Sequence, residues 1–294
     1  MLLLAFPECL PQARQLAETI HCRFGEVELH RFPDGESLVT LPTPLDHTVV
    51  FFRGLHDPNA KLVELMLAFA AARANGCQQI ILVAPYLGYM RQDIAFRSGQ
   101  AVSQRVIGEW LSRQVDDLIS VDPHLHRIKR LEEAFPHCRS IATSAAPLLG
   151  EFVKERGFDG VLVGPDQESR QWVEQVASAC GCDFVIASKE RLGDREVRVT
   201  LPEGNYRSRA AILVDDVISS GRTMVEAAQQ LLARGATSVS ALCTHALFAP
   251  GAVEAMANAG ISPVWSTNAI PHETACIDLT PLLARALDDL RQAS

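Results

Sequence analysis

Short apolar runs recur along this chain, separated by longer segments in which apolar positions return every three or four residues. The runs predict strands over 2–6, 27–31, 49–52, 80–83, 118–121, 140–142, 160–163, 184–187, 197–201, 211–214, 239–243 and 264–266. The periodic segments predict helices, among them 61–75, 103–113, 169–179 and 225–234. Strand alternating with helix implies α/β architecture, with mainly parallel sheets flanked by helices. So many strands exceed one comfortable sheet, and the pattern restarts near residues 140–147, so two domains are expected, 1–143 and 144–294. The halves look alike. In each, apolar strands end in polar and charged residues, and ligands of open parallel sheets bind at those carboxyl ends.

The most informative stretch is RAAILVDDVISSGRTM, from Arg209 to Met224. An apolar strand delivers Asp215 and Asp216, a small polar loop follows (Ser219, Ser220, Gly221, Arg222, Thr223), and a helix begins near Met224. Backbone N–H groups at a helix N-terminus accept a phosphate, and the acids upstream can hold sugar hydroxyls or a divalent cation. Phosphate on one side and hydroxyls on the other describe a pentose phosphate. The same residues also suit a plain strand end with serines capping a helix.

Composition narrows the classes. The chain has 294 residues, 48% of them hydrophobic, and a formal net charge of −8, which argues against a broad nucleic-acid-binding face. The longest apolar stretch, 65–72, ends at Arg73 and is too short to cross a bilayer. The opening MLLLAFPECLPQ lacks a basic flank and meets Pro7 early, so it reads as a first strand rather than a signal peptide. Eight cysteines form no CxxC pair, which suggests reduced thiols in a cytoplasmic protein.

Five further segments carry chemistry-bearing residues. Arg31-Phe-Pro-Asp-Gly-Glu36 contains a turn signal behind Phe32, which is either an exposed turn residue or an aromatic plate for a nucleobase. The run PYLGYMRQD places Arg91, Gln92 and Asp93 after a buried strand, with a planar cation for phosphate and an amide for base edges. In VDPHLH, Asp122 and His124 share a face of an extended segment and could hold a metal. Asp166 follows the strand GVLV in Gly-Pro-Asp, where a cap or turn role is the commoner one. Lys189 and Arg191 share a face ahead of the loop 192–195, which looks mobile, so Lys189 reads as an exposed loop residue. Beside a phosphate site the two cations would offset charge on a transferred phosphoryl group.

Taken in order, RFPDGE, PYLGYMRQD, VDPH, GPD, KER, VDDVISSGRT and THALF resemble the ribose-phosphate pyrophosphokinases, also called phosphoribosyl pyrophosphate synthetases, from about Phe6 to about Leu283. The resemblance implies two phosphoribosyltransferase-like domains and a homo-oligomer with an ATP site at a subunit interface. It implies transfer of the pyrophosphoryl group of ATP to O1 of ribose 5-phosphate, with Mg²⁺ and without nucleic-acid or membrane partners. Residue by residue, it implies Phe32, Asp34, Gly35 and Glu36 at the adenine of an ATP in the neighbouring subunit, and Arg91, Gln92 and Asp93 in contact with ATP. His124 and Asp166 match metal-site positions, Lys189 the catalytic lysine, and Arg191 the arginine that stabilises the reacting phosphates. Asp215, Asp216, Ser219, Ser220, Gly221, Arg222 and Thr223 match the ribose 5-phosphate loop.

The chain departs from the family in SSGRT, where Arg222 replaces a small residue, in Pro123 of DPH, and in QESRQW after Asp166. Residues 96–103 look more like compact archaeal-type members than like bacterial enzymes regulated by phosphate and ADP. Two other readings stay open: a phosphoribosyltransferase, and a catalytically silent regulatory paralogue of the synthetase.

Overall fold

Two six-stranded parallel sheets, each flanked by helices, make up the computed structural model, which describes residues 1–125, 127–191 and 197–292 and, of 190, 191, 197 and 198, the backbone alone. The first compact unit takes in Met1–Thr143 together with Leu279–Ser294, and the second is Ser144–Asp278.

In the first unit the sheet is formed by β1 (Leu2–Ala5), β2 (Arg23–Glu26), β5 (Thr48–Phe52), β6 (Gln79–Ala84), β7 (Asp117–Val121) and β8 (Arg139–Thr143), in the order β2-β1-β5-β6-β7-β8. An antiparallel hairpin, β3 (Glu28–Arg31) with β4 (Ser37–Thr40), stands apart from it. The helices are α1 (Leu10–Thr19), α2 (Pro58–Ala74) and α3 (Ser103–Ser112). In the second unit the sheet contains β9 (Val161–Gly164), β10 (Asp183–Ile186), β13 (Ala210–Ile218), β14 (Ser238–Ala246), β15 (Ile261–Thr267) and β16 (Ala275–Ile277), in the order β10-β9-β13-β14-β15-β16. Its hairpin pairs β11 (Ser188–Arg191) with β12 (Val197–Thr200). Its helices are α4 (Ala146–Glu155), α5 (Arg170–Cys180), α6 (Arg222–Ala233) and α7 (Ala252–Asn258). Adding eight to every strand number of the first sheet produces the second, hairpin included. The likeness of the halves is thus a repeated topology.

Strands of such sheets are buried on both faces, which is why they read as unbroken apolar runs. In the second unit Ala211 and Leu213 of β13 face one core with Leu231 of α6 and Met256 of α7. Ile212 and Val214, pointing the other way, meet Phe152 of α4 and Trp172 of α5. The final helix, α8 (Thr280–Gln292), buries Leu283, Leu287 and Leu290 and packs on α1, β7 and β8 of the first unit. The second unit therefore ends at Asp278. Sequence order alone had left this last segment with the second domain.

Candidate active site

β13 runs past its apolar segment through Asp215 and Asp216 to Ile218, because β14 stays paired with it as far as Ala246. The two acids thus lie inside a ladder. Asp216 is buried, and its Oδ1 accepts the Val217 N–H at 2.8 Å, while the Asp216 N–H donates to Asp215 Oδ1 at 3.0 Å. Asp215 keeps partial exposure, yet protein crowds its carboxyl. Burial first, then the charges of Asp216 and Asp166, push it well above the ordinary carboxylate range. Mutually repelling carboxylates make a place for a cation or for hydroxyl donors.

Beyond Ile218 the chain turns through Ser219, Ser220 and Gly221. The Ser219 carbonyl accepts the Ala249 N–H at 3.1 Å. Gly221 caps α6 at φ +70°, and a Cβ there would meet Met256 Cγ at 3.1 Å. The helix starts at Arg222, so Arg222 and Thr223 belong to its first turn rather than to the loop expected from the sequence. The N–H groups of Arg222, Thr223 and Met224 precede the bond from Val225 N–H to Gly221 O at 2.9 Å, and they open at the positive end of the helix. This is a cup for an anion.

Lys189 sits in β11, half-buried, with Nζ 2.9 Å from Asp166 Oδ2. It is not the exposed loop residue expected from the sequence. Asp166 Oδ1 accepts the N–H groups of Glu168 at 3.0 Å and Ser169 at 3.2 Å. One carboxylate oxygen therefore shapes the turn into α5 while the other holds the lysine. The Arg191 backbone lies in β11, but its side chain and the loop 192–195 lie outside the described residues.

In the first unit Phe32, Asp34, Gly35 and Glu36 form the tip of the β3–β4 hairpin. Phe32 N–H donates to Glu36 O at 2.8 Å, Gly35 N–H to Phe32 O at 2.9 Å, and Glu36 N–H to Asp34 Oδ1 at 3.1 Å. Phe32 is 40% exposed, its ring edge-on to His30. Arg91 is exposed. Gln92 is turned inward: its amide donates to the carbonyls of Ala101 at 2.6 Å and Ile94 at 3.3 Å, and its Oε1 accepts the Ser103 N–H at 2.7 Å. The amide closes the loop ahead of α3 instead of offering itself to a base edge, as the sequence had suggested. Asp93 is paired through Oδ1 with Arg127 at 2.6 Å, and its buried Oδ2 has no partner among the described residues. Arg127 carried no sequence signal beyond being a basic residue downstream of His124.

His124 is half-buried just after β7. It lies in the first unit and Asp166 in the second. Among the described residues no three His, Cys, Asp or Glu side chains already converge as a metal-ligand set.

A cavity of about 410 Å³ in the first unit is lined by Arg31, Ser37, His56, Lys61 and Glu64, among others. Burial, reinforced by the Lys61 ammonium, lowers the His56 pKa to about 4. An imidazole depressed in this way takes up its proton more readily in the unfolded chain. Its contribution to stability is complete above about pH 6.5 and is lost as pH falls through about 4. Equilibrium unfolding of wild type and His56→Gln across pH 4–7 checks this. The variant is expected to flatten the acid limb, and an unchanged limb would assign that loss elsewhere.

Comparison with known proteins agrees along the chain. The family model described as the N-terminal domain of ribose phosphate pyrophosphokinase matches residues 1–114, and that of the phosphoribosyl synthetase-associated domain matches residues 195–288. A ribose-phosphate pyrophosphokinase from Methanopyrus kandleri is 36% identical over 293 residues, covering 99% of each chain. The ribose-phosphate pyrophosphokinase 2 of Archaeoglobus fulgidus is 32% identical, over 92% of this chain and 94% of its own. The crystal structure of phosphoribosylpyrophosphate synthetase from Mycobacterium smegmatis shares the fold, with a TM-score of 0.84 at 23% identity over 100% of this chain and 99% of that one.

Proposed function

The chain belongs to the ribose-phosphate pyrophosphokinase family, and from that membership we infer its reaction: it transfers the pyrophosphoryl group of ATP to O1 of ribose 5-phosphate, giving 5-phosphoribosyl 1-pyrophosphate and AMP. The observation that carries this reading is the succession in the second unit of two strand acids, a glycine-capped helix N-terminus and a lysine held beside Asp166. Asp215 and Asp216 take the ribose hydroxyls. The 5-phosphate rests on the N–H groups that open α6, with the hydroxyls of Ser219, Ser220 and Thr223 and the Arg222 side chain around it.

ATP is held by Arg91 and Asp93, on a loop that Gln92 braces, and by Phe32, Asp34, Gly35 and Glu36 of a neighbouring subunit. O1 attacks the β-phosphorus in line and AMP departs. Lys189 and Arg191 offset charge on the group in transit, so positioning and electrostatics supply most of the acceleration. Mg²⁺ is the proposed metal, with Asp166 as a protein ligand in the second unit. The carboxylates fit a hard cation, whose charge would offset both the burial and the carboxylate repulsion that raise Asp215. When bound it neutralises phosphate charge.

Self-association is supported by α2, which presents apolar side chains on every side. Val63, Met66 and Leu67 are 50, 40 and 37% exposed, unlike those of an ordinary surface helix. No helix among the described residues is long and apolar enough to cross a membrane. Eight free thiols suit a reducing cytoplasm.

The test is AMP release from ATP and Mg²⁺ with and without ribose 5-phosphate. AMP formed only with the sugar phosphate, matched by phosphoribosyl pyrophosphate, is the expected result. A folded protein that binds ATP but forms no AMP would point to a silent paralogue.

A further inference from the structure

The β3–β4 hairpin is not part of the six-stranded sheet. Much of its surface is exposed, and the 410 Å³ cavity lies against one flank, lined by Leu29, His30, Arg31 and Ser37 on the hairpin side. β4 packs against α2, and polar links add direction to that contact. Arg31 and Ser37 face each other across the hairpin and flank its tip. Both reach one side chain on α2: Ser37 Oγ donates to Glu64 Oε1 at 3.1 Å, and Arg31 Nη2 lies 3.9 Å from the same oxygen.

Glu64 is itself immobilised. Its Oε2 accepts from Arg53 Nη2 at 2.5 Å, and both side chains are almost fully buried. Arg53 is fixed in turn by Glu8 Oε1 at 2.8 Å, by the Lys61 carbonyl at 3.2 Å and by the Phe6 ring at 3.8 Å. Charged groups held on several sides in a low-dielectric setting are rigid anchors.

We propose that Glu64 is a positioning residue for the nucleotide: held by Arg53, it aims the hairpin through Ser37 and Arg31 and so sets where Phe32 meets the base. This rests on the reading of Phe32 as an adenine contact. In this role Glu64 acts through the hairpin, so its removal is expected to change ATP affinity and to leave the second unit's chemistry alone.

The experiment measures KM for ATP, KM for ribose 5-phosphate, kcat and Tm in Glu64→Gln, Ser37→Ala, Ser37→Thr and Phe32→Ala. A hydrogen bond to a charged group is worth about tenfold, so KM for ATP is expected to rise about tenfold in Glu64→Gln and several-fold in Ser37→Ala. The other two kinetic constants should stay within about twofold, and Ser37→Thr, which keeps the hydroxyl, should restore the wild-type value. Should Glu64→Gln fail to fold, the Ser37 pair carries the test, since neither of its members leaves a buried charge unpaired.

A raised KM for ATP in Phe32→Ala, with wild-type values in Glu64→Gln and Ser37→Ala, would overturn the positioning role and leave the adenine contact standing. If Phe32→Ala also leaves KM for ATP unchanged, the hairpin's part in nucleotide binding falls and the positioning role falls with it. A fall in Tm with no change in KM for ATP makes Glu64 structural only.

Discussion

Lys189→Ala is expected to lower turnover by about two to three orders of magnitude, the usual cost of removing one donor aimed at charge that develops in the transition state. The lysine is pre-aimed. Its Nζ is held at 2.9 Å by Asp166 Oδ2, and its place in a strand paired with β12 limits backbone drift. Stability should fall by about 1–2 kcal/mol, because Asp166 loses its counter-ion but keeps two backbone N–H donors through Oδ1. Initial rates of AMP formation and a melting curve on the same preparation separate the two effects. Turnover within a few-fold of wild type would remove Lys189 from the chemistry.

Gly221→Ala should raise KM for ribose 5-phosphate by about 30- to 100-fold, equivalent to about 2–3 kcal/mol of lost phosphate contacts. Two causes act together. A left-handed φ of +70° costs an alanine about 1–2 kcal/mol, and its Cβ would press on Met256 at 3.1 Å from Cγ. Relaxing either strain moves the N-terminus of α6, where the N–H groups must converge on the phosphate. The double variant Gly221→Ala/Met256→Ala removes the contact but not the dihedral strain, so only part of the affinity should return. KM for ATP is the control and should hardly change. A normal KM for ribose 5-phosphate in the single variant would move the phosphate site away from this cup.

What the sequence disclosed follows from physics that acts locally. The run 211–214 reads as a buried strand because both faces of a parallel sheet are covered, and the SSGRT segment reads as a helix N-terminus because serines suit a cap, although it is Gly221 that caps α6. Whether β13 stops at Val214 or continues past two aspartates depends on β14, whose pairing continues to Ala246, and no local pattern encodes a neighbour's length. β2 and β4 were missed for a related reason: they hold only exposed and half-buried positions, at a sheet edge and in a hairpin outside the sheet. The inward turn of Gln92 was equally hidden, since an amide's direction is set by the carbonyls at Ala101 and Ile94. The Lys189–Asp166 pair joins residues 23 positions apart. Composition revealed both charges but not their partnership.

The return of α8 to the first unit has a consequence for synthesis. Ribosomes release the chain from its N-terminus, and the second unit, an unbroken segment ending at Asp278, is complete before the first can be. At about 5–20 residues per second, the surface of β7, β8 and α1 that α8 covers waits for roughly 7–30 s after Thr143 has been made. For that interval the nascent N-terminal half presents bare apolar surface, which makes it the part of this chain that a holdase chaperone would engage.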